Sequence, residues 1–302
     1  MLDNNFLKVA LAIKDIKKSE MVLPIAKINA ITTPFLLGDH QALKTAMMSP
    51  QNYDKELIKC LYKHSQFFDE NGVEIKKKTD DNREVKLSFD DIQSRISNID
   101  KIFLVWSCYN STYGTLGIRE IECEQCKKKN KYKITLEELI RPDTMTLWDR
   151  ETPFNETVDT IACSYGDEYE YVFECYIPTI KKYNQVLGFI SIDKIRENLE
   201  SNTVLSESED LAVQIKTIII KKKGEEIARS NNIQEVLTVL ESAIPTKVTE
   251  EFKKKYTDLY QKFIPKFYTL LKCDECEHEN KYFVDIETEF FRRILFGGEF
   301  VE

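Results

Sequence analysis

Two cysteine pairs are the residues of this chain whose types and spacing could do chemistry. Cys123 and Cys126 form one C-x-x-C pair, and Cys273 and Cys276 form a second pair that begins 150 positions later. One pair supplies two thiolates, and a closed tetrahedral zinc site needs four ligands. The two pairs together therefore predict one structural zinc ion per chain, with all four cysteines as its ligands.

The residues that follow the two pairs are nearly the same. Asn-Lys-Tyr stands at 130–132 and again at 280–282, and apolar residues alternate with polar ones behind both pairs. Alternation with a period of two is typical of a strand. Each half is therefore expected to be a knuckle that opens a short strand, and the two halves predict a zinc-ribbon element composed of residues 116–137 and 269–290.

Opposite charges occupy matching positions of this repeat. Residues 127–129 are three lysines, whereas residues 277–279 are Glu-His-Glu. Such charges suit two hairpins that face one another, although exposed ion pairs contribute only about 0.2–1 kcal/mol each. We therefore expect the charges to support the pairing of the hairpins weakly.

Other interpretations of the cysteines stay open. The same spacing occurs in ordinary reduced cysteines on two unrelated turns. A redox pair would usually begin a helix that follows a strand, whereas here a strand is expected after both pairs. His278 could replace a cysteine as a ligand, but its position just past Cys276 favours a surface residue.

A shared ion would make everything between the two pairs a large insertion within the ribbon. The ion would close a loop of about 150 residues, whose closure otherwise costs several kcal/mol of chain entropy. Four thiolates would leave no open position for a substrate. The metal is therefore expected to be structural.

The composition bounds the class of protein. The chain has 302 residues, of which 42% are apolar and 31% charged, as in a soluble globular protein of one large or two ordinary domains. The longest apolar run, residues 102–106, is too short to span a membrane, and the N-terminus lacks the pattern of a signal peptide. A net charge of −8 makes nucleic acid an unexpected partner, because general binding to it needs a basic face.

The remaining cysteines have no metal-ligand spacing. Eight cysteines without an export signal indicate a reducing compartment and metal binding over disulfides. The four outside the two pairs are expected to be small buried hydrophobes. They are Cys60, Cys108, Cys163 and Cys175.

The sequence offers no pattern of catalytic residues. It contains no phosphate loop, no G-x-G-x-x-G, no H-E-x-x-H and no G-x-S-x-G motif. The three histidines, His40, His64 and His278, have no evident partner spacing. We therefore expect neither an enzyme nor a small-molecule substrate.

The periodicities predict an α+β fold that is mainly helical, with short antiparallel hairpins and the zinc-ribbon element. Helices are expected at 5–19, 39–48 and 52–68, twice within 88–113, at 136–140, within 179–200, and at 211–222, 232–242 and 246–268. Ser88, with Asp91 three residues on, is expected to cap the first of the two helices within 88–113. The apolar residues of 211–222 fit both a helix and a strand period, and the helix is favoured. Extended segments or hairpins are expected at 21–31, 69–87 and 157–177, and a polar linker at 201–210.

Four regions follow from these elements. An N-terminal extended segment and helical region covers 1–115, and the composite zinc-ribbon element covers 116–137 with 269–290. A hairpin and helical region covers 138–268, and an apolar tail covers 291–302.

Large apolar residues beside two arginines crowd the C-terminal part of the chain. Such a segment either packs on its own core or docks a neighbouring subunit, since exposed apolar patches usually mark interfaces. The predicted docking residues are Phe290, Phe291, Arg292, Ile294, Leu295 and Phe296.

Several short features follow one another in a recognisable order along the chain. They are Leu23-Pro24, Thr32-Thr33-Pro34, Gly38-Asp39, a helix from Asp100 through Leu104 and Ser107 to Tyr113-Gly114, the pair Cys123 and Cys126, Pro178-Thr179 after a hairpin, the pair Cys273 and Cys276, and Phe290-Phe291-Arg292. This order resembles that of the T4-like phage baseplate hub protein family over most of the chain.

The resemblance implies a structural component of a contractile-tail baseplate hub, or a factor that acts in its assembly, without enzymatic activity. It implies other baseplate and tail proteins as partners, and a location in the virion tail baseplate, or in the host cytoplasm during assembly. The competing hypothesis is a zinc-ribbon transcription regulator that contacts nucleic acid or a polymerase. The lysines of residues 127–133 favour that hypothesis, and the acidic second repeat weakens it.

Overall fold

The fold is mixed α+β. The computed structural model describes residues 17–47, 50–136, 138–139, 159–189, 207–261 and 267–296. These residues form nine helices and thirteen short strands, and all the strand pairs are antiparallel. The prediction of an α+β fold with antiparallel hairpins is confirmed, whereas the prediction of a mainly helical one is wrong.

The strands form one four-stranded sheet, one three-stranded sheet and three two-stranded hairpins among the described residues. They are β1 (Ser19–Leu23), β2 (Ile28–Thr32), β3 (Ser65–Phe68), β4 (Lys76–Lys78), β5 (Glu84–Lys86), β6 (Thr115–Glu122), β7 (Lys129–Thr135), β8 (Asp159–Tyr165), β9 (Tyr169–Cys175), β10 (Ile215–Lys222), β11 (Glu225–Ser230), β12 (Phe267–Lys272) and β13 (Glu279–Val284).

The helices are mostly short. They are α1 (Leu37–Ala46), α2 (Pro50–Lys63), α3 (Phe89–Gln93), α4 (Asn98–Thr112), α5 (Ile180–Phe189), α6 (Glu207–Gln214), α7 (Ile233–Ser242), α8 (Thr246–Tyr260) and α9 (Ile286–Phe296). In the part of the chain that the structure describes, none of them has both the length and the apolar character that crossing a membrane requires.

The chain divides into two compact units. Among the described residues, the first unit comprises those up to 87, those from 100 to 139 and those from 267 onward. The second unit comprises residues 88–99 and 159–261. Both cysteine hairpins, β6–β7 and β12–β13, belong to the first unit.

Helix α4 supplies the core of the first unit. Phe103, Trp106 and Tyr109 on this helix are all buried. The ring of Phe267, at the start of β12, lies 5.9 Å from that of Phe103 and stacks at 6.3 Å on that of Trp106. The second cysteine hairpin is therefore attached directly to the aromatic core.

The second unit has its own core between a sheet and helices. Its sheet has the strand order β11-β10-β9-β8, and α8 packs against β8. Phe173 of β9 and Phe252 of α8 are both buried, with ring centroids 4.4 Å apart. The core of this unit thus lies between a four-stranded antiparallel sheet and α8.

Several expected elements are confirmed. The extended segment expected at 21–31 forms the paired strands β1 and β2, and the hairpin expected at 157–177 forms as β8–β9. Residues 69–87, expected to be a hairpin or a loop, contain the hairpin β4–β5. Ser88 caps α3, because its hydroxyl accepts from the Asp91 N–H at 3.2 Å while the Asp91 carboxylate accepts from the Ser88 N–H at 3.0 Å.

Three expected helices and the linker differ from the structure. The helix expected at 52–68 ends at Lys63, and β3 follows because its alternating buried side chains pair with β2. The helix expected at 246–268 ends at Tyr260. The expected helix 211–222 is wrong from Ile215 onward, where β10 begins, and α6 occupies part of the expected linker 201–210.

The remaining differences are small or cannot be compared. Leu136 and Leu139 are joined by a single 3.3 Å backbone bond, so their described part is a turn where a helix was expected. Residues 5–16 of the expected first helix, residues 190–200, residues 201–206 and residues 297–302 of the expected tail lie outside the described residues. Residues 291–296 of that tail belong to α9.

Candidate metal centre

The two cysteine hairpins bring four thiols together. The four sulfur atoms all lie within 4.8 Å of one another. Two of the separations cross between the hairpins, at 3.6 Å from Cys123 to Cys276 and 3.6 Å from Cys126 to Cys273. A disulfide would need about 2.05 Å, and all four cysteines are free. The cluster could therefore bind a metal ion.

The spacing of the sulfurs fits a single ion. Four sulfurs placed tetrahedrally about 2.3 Å from one zinc ion would lie about 3.8 Å apart. The observed cross-hairpin distances of 3.6 Å are close to that value. The expectation that the two distant pairs meet is confirmed, and the identity of the metal stays a prediction.

Each pair sits on a turn closed by the same two backbone bonds. In the first turn, the Cys123 N–H donates to the Lys128 carbonyl at 2.8 Å, and the Lys127 N–H donates to the Cys123 carbonyl at 3.0 Å. The second turn repeats both bonds at 2.9 and 3.0 Å. The repeat in sequence is therefore a repeat in backbone geometry.

A rare backbone conformation is also repeated. Lys127 and Glu277, each directly after the second cysteine of its pair, have φ values of 62° and 59°. This left-handed region costs an ordinary residue about 1–2 kcal/mol, and glycine commonly occupies it. Both turns thus require a conformation for which neither sequence supplies a glycine.

Backbone N–H groups polarise the first cysteine of each pair. The pKa of Cys123 is lowered chiefly by the N–H of Cys126. The pKa of Cys273 is lowered to about 6, chiefly by the N–H of Cys276, with a smaller contribution from the side chain of Asn130. The lowered pKa values shift both thiols toward the thiolate form, which is the form that binds a metal.

The second cysteine of each pair behaves in the opposite way. The N–H of His278 lowers the pKa of Cys276, but desolvation and the neighbouring thiols together raise it to about 12. The N–H of Lys128 lowers the pKa of Cys126, while desolvation and two neighbouring thiols raise it above its usual value. Without a cation, these two sites keep their protons, so metal binding should release them.

His278 contributes its backbone and not its ring. The metal-ligating cluster within the described residues contains only the four cysteines. The His278 carbonyl accepts the N–H of Cys273, and its own N–H donates to Cys276. The alternative in which His278 replaces a cysteine is therefore not supported.

Two buried asparagines connect each turn to the other. Asn130 donates from Nδ2 to the Cys273 sulfur at 3.4 Å, and Asn280 accepts the Glu124 N–H at 2.8 Å. Both side chains are buried. The sequence showed Asn at matching positions of the repeat, but we predicted no role for it, and this identity was the signal that could have found these residues.

The charges around the cluster pair differently from the expectation. Lys128 forms an ion pair across the hairpins with Glu275, whereas Lys129 pairs with Glu120 of its own hairpin at 3.3 Å. Glu277 also pairs within its hairpin. The matched triplets 127–129 and 277–279 therefore do not face one another as ion pairs, because the turns place them beside their own strands.

Buried contacts fix the position of α9 beside the first hairpin. Arg119 of β6 forms an ion pair with Glu289 of α9 at 2.6 Å. Arg293 donates to the Tyr109 hydroxyl at 3.0 Å and to the Thr115 carbonyl at 3.2 Å. The helix that follows the second cysteine pair is thus attached to the base of the first hairpin.

Only part of the predicted docking segment is exposed and could contact a partner. Phe290 and Ile294 are buried, and the ring of Phe290 lies 5.3 Å from that of Phe35, so the docking role predicted for these two residues is wrong. They form part of the apolar face with which α9 covers the core. Phe291 and Arg292 are exposed, Leu295 is half-buried, and the side chain of Phe296 lies outside the described residues.

A second polar cluster involves a histidine for which the sequence showed no partner. His64 Nε2 lies 2.8 Å from the Asp39 carboxylate, and His64 Nδ1 lies 3.2 Å from the Thr33 hydroxyl. Asp39 also accepts from Lys63 at 2.7 Å and from the Leu36 N–H at 2.7 Å. The histidine ring is closed to solvent. We therefore assign this cluster to joining α1, α2 and β3.

The other four cysteines are buried, as expected for small hydrophobic side chains. Desolvation raises the pKa of each thiol, to about 11 for Cys163 and about 12 for Cys60. Neutral buried thiols are poor nucleophiles and poor metal ligands. Metal chemistry in the described residues therefore centres on the four clustered cysteines.

Fold and site together define a mixed α+β protein with a four-thiol cluster at the meeting point of two repeated hairpins. Comparison of the chain with protein-family models, with curated proteins and with solved structures finds no match.

Proposed function

We propose that this protein is a structural or assembly component of a contractile phage tail baseplate hub, stapled by one structural zinc ion. The observation that carries the proposal is the set of four free thiols within 4.8 Å of one another, contributed by two distant hairpins. The baseplate part rests on the order of sequence features that resembles the T4-like phage baseplate hub protein family.

The donor set favours zinc over magnesium and calcium. Zinc binds four thiolates tetrahedrally in structural sites, whereas magnesium and calcium prefer oxygen ligands. The N–H···S bonds from the turns stabilise the thiolate form of the first cysteine of each pair. Four protein ligands leave no position for a substrate, so the ion would serve the fold.

The position of the cluster in the chain explains why a bound metal ion would stabilise the fold. Residues 159–261, which make up most of the described part of the second unit, lie in sequence between the two cysteine pairs. A metal that joins the pairs would fix the two ends of this long segment within the first unit. The closure of so long a loop would otherwise cost several kcal/mol of chain entropy.

Metal analysis of the purified full chain tests the staple. We expect one zinc per chain, and loss of the ion when Cys273→Ser and Cys276→Ser are combined. Gln125→Ser is a matched control, because Gln125 is exposed on the first turn and is not among the clustered ligands. A full zinc complement in the double variant would contradict a shared site.

Affinity purification of the tagged chain from its native source tests the assembly role. Quantitative mass spectrometry should find tail and baseplate proteins at stoichiometric levels. The double cysteine variant, purified in parallel, shows which partners depend on the staple. Polymerase subunits or bound nucleic acid in place of tail proteins would overturn the baseplate assignment.

The alternative is a zinc-ribbon regulator that contacts nucleic acid or a polymerase. It is favoured by the exposed lysines at 127–129, 131 and 133 on the first hairpin. Two of them are already neutralised, Lys128 by Glu275 and Lys129 by Glu120. Fluorescence anisotropy with labelled single- and double-stranded DNA distinguishes the two functions, since real binding weakens steeply between about 50 and 200 mM salt.

A further inference from the structure

The two cysteine hairpins present different outer faces at matching positions. Both faces consist of side chains that alternate with those around the metal cluster, and they are largely exposed to solvent. The matching residues are Ile118 and Tyr268, Glu120 and Leu270, Lys131 and Lys281, and Lys133 and Phe283.

The outer face of the first hairpin is balanced in charge. Glu120 stands directly opposite Lys131 in the strand register, and Lys129 forms an ion pair with Glu120 at 3.3 Å. Ile118 is a single exposed apolar residue opposite Lys133. Such a mixed, self-paired surface is an ordinary solvated face.

The outer face of the second hairpin is apolar around one positive charge. Tyr268 stands opposite Phe283, with ring centroids 5.9 Å apart. The Lys281 ammonium lies 3.9 Å from the centroid of the Tyr268 ring and 5.1 Å from that of Phe283. Phe283 is 55% exposed and Leu270, opposite Lys281, is 46% exposed.

Lys281 lacks a carboxylate partner in the part of the chain that the structure describes. Its recorded contacts are the two aromatic rings. The nearest acidic residue on the same face, Glu279, stands opposite Lys272 in the register. The face therefore combines an exposed phenylalanine ring, a half-buried tyrosine ring and an exposed leucine with one lysine that has no ion-pair partner among the described residues.

The size and charge of this outer face indicate which kind of molecule could bind to it. Four side chains on two short strands fall well below the roughly 800 Å² per partner of a stable interface, and a second copy would bring together two cations and two chains of net charge −8. Nucleic acid needs a broad basic surface, which one lysine beside acidic strand ends does not provide. A short protein segment fits the size and the charge.

We propose that Tyr268, Leu270, Lys281 and Phe283 form a docking surface for an extended segment of another protein. That segment carries an aliphatic or aromatic side chain next to an Asp or Glu. The apolar side chain packs on Phe283 and Leu270, and the carboxylate pairs with Lys281. This inference does not rest on the baseplate assignment, because it concerns a face that any partner protein could use.

Selection from a library of short random peptides displayed on yeast tests the proposal. The bait is the zinc-loaded full chain, and the counter-selection bait carries Tyr268→Ile, Leu270→Glu and Phe283→Lys. These changes give the second hairpin the residues that the first hairpin holds at the same positions, so the variant should fold. Retained zinc and an unchanged circular dichroism spectrum verify that it does.

We expect enriched peptides that pair an apolar residue with an adjacent acid. Synthetic copies should bind the triple variant and Lys281→Gln at least about tenfold more weakly than the unaltered chain. Lys133→Ala on the first hairpin is the matched control and should leave binding unchanged.

Four outcomes would overturn the proposal. One is failure to enrich any peptide, and another is enrichment of peptides that bind the triple variant equally well. The third is a peptide set without acidic preference. The fourth is binding of labelled single-stranded DNA that the triple variant loses, which would assign the face to nucleic acid.

Discussion

The first and second cysteine hairpins share the geometry of their turns and differ in their outer surfaces. Both turns have the same two backbone hydrogen bonds, and in both the residue after the second cysteine has a left-handed backbone conformation. Their outer strands, by contrast, carry a self-paired charged face in one hairpin and exposed aromatic residues in the other. Bringing the four thiols together constrains the backbone of both turns but not the side chains that point outward, which are therefore free to differ.

The comparison also shows where the two halves are unequal at the cluster itself. Asn130 donates a hydrogen bond to the Cys273 sulfur, whereas Asn280 accepts one from the backbone of Glu124. The same residue type therefore acts once on a ligand and once on the opposite turn. Variants in matching positions can separate what the metal needs from what each hairpin adds.

Removal of a cysteine pair should have the largest effect on zinc binding and stability, and the effect should be nearly the same for the two pairs. Cys123→Ser with Cys126→Ser, and Cys273→Ser with Cys276→Ser, should each abolish zinc binding and lower the free energy of unfolding by about 5 kcal/mol or more. Urea unfolding of the first unit can be followed by fluorescence of the buried Trp106 after Trp148→Phe removes the other tryptophan. Clearly unequal losses would show that the pairs do not share one ion.

Asp39→Asn should lower stability by about 2 kcal/mol in a pH-dependent way that leaves the metal site untouched. Desolvation raises the pKa of Asp39, but hydrogen bonds from Lys63 and the Leu36 N–H, together with His64, bring it below the ordinary 3.8. Because its folded pKa is depressed, the carboxylate stabilises the fold above pH 3.8, and this contribution is lost as the pH falls through the folded value.

Denaturant titrations of zinc-loaded chains between pH 7 and acid check that sign. The stability difference between the unaltered chain and Asp39→Asn should be largest near neutrality and shrink in acid. A difference that is constant with pH, or zinc loss in Asp39→Asn at neutral pH, would contradict the assignment of this cluster to the joint between α1, α2 and β3.

Asn130→Ala and Asn280→Ala should each cost about 1–2 kcal/mol, since each removal leaves buried partners unsatisfied. Only Asn130 touches a ligand sulfur, so we expect Asn130→Ala to weaken zinc affinity by about tenfold or more and Asn280→Ala to weaken it less. Competition with a chromophoric chelator measures both affinities. Equal zinc affinities in the two variants would contradict the expectation that only Asn130 acts on a sulfur of the cluster.

The sequence predicted what depends on short-range pattern. The repeat around the cysteines predicted that distant turns meet, and strand alternation predicted the hairpins that carry them. Ser88 with Asp91 predicted the start of α3. For the hairpins and the cap, the residues that determine the structure lie within a few positions of one another. For the distant cysteine turns, the signal was two short motifs that match.

The predictions that were wrong concern residues whose structure depends on partners far away in the chain. Ile215 and Ile218 fit both a helix and a strand period, and the sheet decided the outcome because β10 pairs with β9, some 40 positions earlier. Likewise, β3 follows α2 because β2 is available to pair with it. Phe290 was predicted to dock a partner because composition cannot tell an apolar residue in an interface from one in a core.

Substitution of glycine at the left-handed position of each turn should have the smallest effect on the free energy of unfolding, and the substitution should stabilise the fold. Lys127→Gly and Glu277→Gly each relieve a positive φ near 60° but increase the freedom of the unfolded chain, so we expect a net gain of about 0.5–1 kcal/mol. Zinc-loaded chains, compared by thermal unfolding, would show it.

Lys127→Ala and Glu277→Ala are the matched controls, because they remove the charge and keep the Cβ that the left-handed conformation disfavours. Neither alanine variant should gain stability. Equal gains from the two glycines would show that both turns are under the same backbone strain despite their different sequences. A loss at Lys127 but a gain at Glu277 would instead mean that the lysine side chain contributes to the first turn, and that the likeness of the hairpins ends at the sulfur ligands.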